Sequence, residues 1–73
     1  MKPNQTILSI FHLKELLREF RVLIYTGDPL GDLWLMEEEL RELYQMKLIS
    51  DIQYQQGIQV IRKETKKLEE SGY

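Results

Sequence analysis

The chain has 73 residues, no cysteine, 30% charged and 42% hydrophobic residues, and a formal net charge of −2. That length holds one domain, and the apolar fraction is too high for a disordered tail. The absence of cysteine removes disulfides and thiolate metal sites and fits a reducing cytoplasm, and no apolar run approaches the ~20 residues that cross a bilayer, so no membrane partner is expected.

The first periodic segment spans residues 9–20. Ile10, Leu13, Leu17 and Phe20 step by three, four and three, which places them on one face of a helix, and Leu16 widens that stripe. Thr6, Ser9 and His12 are all candidate N-caps. Residues 21–25 are β-branched and apolar, and Thr26-Gly27-Asp28-Pro29 then makes a turn. Such a connector is expected to lie extended over the helices and cover part of the core.

The second helix is predicted over residues 29–46, with Leu33, Met36, Leu40 and Leu43 as its stripe and Tyr44 at the edge. Asp28 is placed to cap its free amides, and Pro29 suits a first helical position that has no N–H to satisfy. The third helix is predicted over residues 51–69. Ser50-Asp51-Ile52-Gln53 fits a capping box, and Tyr54, Ile58, Ile61, Thr65 and Leu68 form one face. Gly57 borders that face at about 1 kcal/mol of lost helix propensity, which suggests that another helix comes close there. The short link around residues 47–50 makes the second and third helices an antiparallel hairpin. The expected fold is an all-α, compact three-helix bundle with an extended apolar connector between its first two helices.

Charge is unevenly distributed. Lys2, Lys14, Arg18 and Arg21 outweigh Glu15 and Glu19 in the first segment, the middle helix is strongly acidic, and Arg62, Lys63, Lys66 and Lys67 outweigh Glu64, Glu69 and Glu70 in the third. One reading is a basic surface built from Lys14, Arg18, Arg21, Arg62, Lys63 and Lys66, on which a nucleic-acid backbone lies. The other is that an acidic helix between two basic ones has its charges satisfied within the fold, as the overall pI of about 5.3 favours.

Aromatic side chains bear on the same choice, since single strands stack their bases on exposed rings. Tyr25 lies in the connector. Trp34, the sole tryptophan, falls about 140° from the centre of its helix's stripe. It either packs against Leu23 or Ile24 as a satellite core, or stands exposed and anchors a protein partner or a second copy of the chain.

Little points to catalysis. His12 has no serine or aspartate at a triad-like spacing, and the Gly27–Gly31 turn lacks the Lys-Ser/Thr pair of a phosphate loop. Asp28, Asp32 and Glu37 are oxygen ligands in principle, but capping and the helix dipole account for them. No enzyme activity, cofactor, metal or small-molecule substrate is expected.

The stretch Ile24-Tyr25-Thr26-Gly27-Asp28-Pro29-Leu30-Gly31-Asp32-Leu33-Trp34-Leu35-Met36-Glu37, followed by Glu38-Glu39-Leu40-Arg41-Glu42-Leu43-Tyr44, resembles the YqgQ-like family of small bacterial cytosolic proteins, over about residues 11–64. The resemblance implies a compact three-helical fold and brings no activity, cofactor or catalytic residue; a role in binding single-stranded nucleic acid has been suggested for the family. Two departures stand out. Relatives carry a basic residue where this chain has Pro29, and a glycine helix stop where it has Arg21, which leaves the end of the first helix less defined. The functional expectation is a non-enzymatic binding protein. Its partner is single-stranded nucleic acid held by the six cations with Tyr25 or Trp34, or alternatively a protein or a second copy meeting the apolar surface around Trp34 and residues 22–25.

Overall fold

A computed structural model describes residues 6–72, leaving Lys2 outside the described residues. Three helices follow in order, α1 (Ile10–Glu19), α2 (Pro29–Gln45) and α3 (Asp51–Glu70), close to the predicted boundaries.

The helix starts show which polar side chains do the capping. Ser9 caps α1, its Oγ accepting from the His12 amide at 3.3 Å, while His12 Nδ1 accepts from the Leu8 amide at 3.1 Å. The capping box of α3 is complete: Ser50 Oγ accepts from the Gln53 amide, and Gln53 Oε1 accepts from the Ser50 amide. At α2 the expectation fails in one detail. Asp28 occupies the N-cap position, but its side chain makes no capping bond. Asp32, on the first turn, reaches back instead and accepts from the Thr26 amide (2.8 Å) and hydroxyl (2.6 Å). Thr26 Oγ1 in turn accepts from the Asp28 amide at 3.2 Å, so the turn is closed by Thr26 and Asp32.

Two helix ends share one geometry. Arg21 (φ 64°) follows α1 and Lys47 (φ 62°) follows α2, each in the left-handed conformation that glycine usually supplies. The Arg21 and Val22 amides donate to the Arg18 and Leu17 carbonyls, and the Lys47 and Leu48 amides donate to those of Tyr44 and Leu43. These paired bonds are the Schellman pattern. The end of α1 is therefore sharply defined although a glycine is missing there.

The principal packing is between α2 and α3, with α1 resting chiefly on α3. Leu40 lies against Gly57, confirming that the glycine marks a close approach. Leu13, Leu16 and Leu17 of α1 meet Leu33, Met36, Leu40 and Leu43 of α2 and Val60 and Ile61 of α3 in one core. The buried centre of α3 is Gly57, Val60 and Ile61; Tyr54, Ile58, Thr65 and Leu68 are only partly buried. Two core residues come from outside the helices: Ile7, 2% exposed and held by its amide's bond to Gln56 Oε1 (3.0 Å), and Ile49 in the hairpin link. The connector alternates as an extended chain does. Val22 and Ile24 pack on the core, while Leu23 and Tyr25 face outward. No helix among the described residues is long and apolar enough to cross a membrane.

Candidate nucleic-acid interface

The eight residues singled out by sequence fall on two different sides of the bundle. On the first side, Lys14 and Arg18 of α1 border a shallow groove of about 110 Å³ with Leu23 of the connector, floored by Leu17, Val22, Ile24 and Met36. An adjoining groove of about 290 Å³ is lined by Lys14 and Tyr25, with Ile10, Leu33 and Leu68 behind them. Tyr25 is 89% exposed, so its ring stands free in water. Arg21, exposed at the end of α1, continues the cationic line.

Phe11 belongs with this group, and the sequence reading missed it. It precedes Lys14 by three residues and Arg18 by seven, which puts all three on one ridge of α1. It is 63% exposed, opposite the Leu13, Leu16 and Leu17 stripe. The spacing to the two cations was a usable signal.

Two carboxylates shape the electrostatics here. Asp32 and Glu64 line the larger groove beside Lys14. The Thr26 hydroxyl and amide hold the Asp32 carboxyl below its ordinary value, and the charge of Lys14 adds to the effect. The groove floor therefore carries negative charge, and the positive charge of Lys14, Arg18 and Arg21 lies along its outer ridge.

The second side lies between α2 and α3. Glu37 and Arg41 of α2 and Tyr54, Gln55, Ile58, Gln59 and Arg62 of α3 line a groove of about 350 Å³ to which α1 contributes nothing. Trp34 stands three residues before Glu37 and seven before Arg41, on the same ridge. It is 61% exposed and forms no satellite core with Leu23 or Ile24. The reason is angular: Asp32 lines the connector-side groove, and two residues further on Trp34 is turned about 200° away. The surface once expected around Trp34 and residues 22–25 is therefore two surfaces. Lys66 lies one turn beyond Arg62 on the same ridge of α3, and Lys63 points further outward. The bases of α1 and α3 do not share a face, because α3 turns Glu64 and Leu68, not Arg62, toward the α1 groove.

Among the described residues the ion pairs are Glu37–Arg41 (3.1 Å) and Glu64–Lys67 (3.4 Å), each within a single helix. No ion pair among the described residues joins the acidic helix to a basic neighbour, and Lys14, Arg18, Arg21, Arg62, Lys63 and Lys66 have no such partner there, although Lys14 acts on Asp32 through its charge. Of the acidic residues considered as oxygen ligands, Asp28 and Asp32 share the Thr26 turn on the connector side, where Asp32 accepts from Thr26, and Glu37 is paired with Arg41 on the other side.

A comparison with family models gives a match to the YqgQ-like family over residues 7–67, somewhat beyond the stretch that carried the resemblance. The chain belongs to the YqgQ-like family. Comparisons with curated proteins and with solved structures give no match.

Proposed function

We propose that this member of the YqgQ-like family is a non-enzymatic binding domain that takes single-stranded nucleic acid across α1 and the connector. One observation carries the reading: two exposed aromatic rings stand near Lys14, Phe11 one turn before it on α1 and Tyr25 in the same groove, and Lys14 and Arg18 are cations with no ion-pair partner among the described residues. Bases stack on the rings at about 1–3 kcal/mol each, and phosphates run along Lys14, Arg18 and Arg21. Stacking tolerates any base, so the expected binding is weak in sequence preference. The absence of cysteine suits a role in a reducing compartment such as the cytoplasm. The α3 cations Arg62 and Lys66 lie on the far side and Lys63 points outward between the two sides; none is assigned a part in this contact, and Trp34 is likewise excluded from stacking.

The test is an anisotropy titration of labelled oligo-dT at rising salt. Binding at tens of micromolar in low salt is expected, with log affinity falling by about 0.7 per neutralised phosphate for each unit of log salt. No change in anisotropy at that concentration in low salt refutes the proposal.

A further inference from the structure

We infer that the open α2–α3 face docks a second copy of this chain, each Trp34 entering the groove between Glu37, Arg41, Ile58 and Arg62 of the other. An isologous dimer needs a projection and a matching recess on one face, so that each copy supplies both halves of two identical contacts. This face has both. Trp34 projects, 61% exposed, and the recess of about 350 Å³ begins one turn further along the same ridge. One turn is about 5 Å. A two-fold axis lying in this face and crossing the helices between those levels carries each indole onto the other copy's recess.

The lining of the recess suits an indole. Ile58 and Tyr54 supply apolar contact, and Arg62, without an ion-pair partner among the described residues, supplies a cation for the ring face. Charge is self-complementary as well: in the reversed apposition Arg62 of one copy approaches the level of Glu37 and Glu38 of the other. The size of the face sets the limit. A molecule of 37 by 22 by 20 Å can contribute at most about 800 Å² from one long side, so a standard interface would use nearly all of this face. Because α1 and the connector lie on the opposite side, the dimer leaves Phe11, Lys14 and Tyr25 uncovered.

Sedimentation equilibrium from micromolar to millimolar concentration tests this, with Trp34 emission recorded on the same samples. A monomer–dimer equilibrium is expected, with emission moving to shorter wavelength as the dimer forms. Trp34→Ala should weaken association at least about 30-fold, as loss of an interface anchor does. Arg62→Glu should weaken it too. Trp34 and Arg62 are both exposed, so circular dichroism should show both variants folded. A strict monomer at millimolar concentration overturns the inference. So does a dimer that survives Trp34→Ala, or one whose tryptophan emission stays that of a solvated indole.

Discussion

Leu40 Cδ2 lies 2.5 Å from the point where a Cβ on residue 57 would stand, with Cδ1 at 3.2 Å and Cγ at 3.4 Å. Leu40 is fully buried, so its methyl groups can give way only by shifting within the packed core. Gly57→Ala gains about 1 kcal/mol of helix propensity. It also forces α2 and α3 apart, an overpacking that costs about 1–3 kcal/mol. The clash wins. A net loss of about 1 kcal/mol is expected, which lowers the melting temperature by about 4–8 °C in a domain of this size. Thermal denaturation followed by circular dichroism checks it; an unchanged or higher midpoint would mean that the helices can separate freely.

Arg21 and Lys47 hold left-handed backbone that a side chain resists. Lys47→Gly should stabilise the protein by about 0.5–1 kcal/mol, and Lys47→Val should destabilise it, because a β-branched residue fits that region worst. Arg21→Gly should raise stability in the same way while weakening oligonucleotide binding, since Arg21 also carries charge at the proposed surface. Urea unfolding beside the anisotropy titration separates the two effects.

Asp32 gives stability a defined dependence on acid. Its carboxyl is held below the ordinary value by the Thr26 bonds, so the folded chain binds this proton less tightly than the unfolded one. Its contribution is complete above the ordinary aspartate value near 3.8 and is lost as pH falls through the lower folded value. Asp32→Asn should remove that part of the dependence, so wild type and variant converge in strong acid and diverge above pH 4 in urea unfolding. Parallel curves at every pH would rule out this role for Asp32.

The division of the cations between two sides yields a contrast between charge reversals. Lys14→Glu/Arg18→Glu should abolish oligo-dT binding in a folded protein, since exposed substitutions shift stability by only about 0.5 kcal/mol. Arg62→Glu/Lys66→Glu, on the α2–α3 side, should leave binding within about threefold at moderate salt, where charges farther apart than about 10 Å are screened. Equal loss in both pairs would mean that the strand wraps the whole bundle.

What could be read in the sequence was local. The Ser50–Gln53 box, Pro29 at the start of α2 and the leucine and methionine stripe are encoded within a few residues, and they set helix boundaries to within about one residue. Gly57 was legible because an interior glycine needs a steric reason. Ile7 and Ile49 were not, because an isolated apolar residue in extended chain has no periodicity to mark it. Val60 was missed because α3 packs on two partners, so its buried arc is rotated from the stripe that faces α2. Whether the bases of α1 and α3 share a face depends on the order of helices around the bundle, which no local spacing records. Trp34 went astray likewise: its angle to the stripe was right, but the neighbour on that side was absent.

The connector is fastened in an uneven way. Val22 and Ile24 are anchored in the core by their side chains, yet no hydrogen bond among the described residues uses the amides of Leu23, Ile24 or Tyr25. Between the Val22 amide at one end and the Thr26 amide at the other, the main chain has no hydrogen-bond partner among the described residues. Deuterium should therefore enter residues 23–25 almost at once, while the amides of α2 and α3 exchange only when the bundle opens. With Leu23 and Tyr25 turned outward, chymotrypsin should nick the chain at this stretch first, leaving both pieces held together by the core they share.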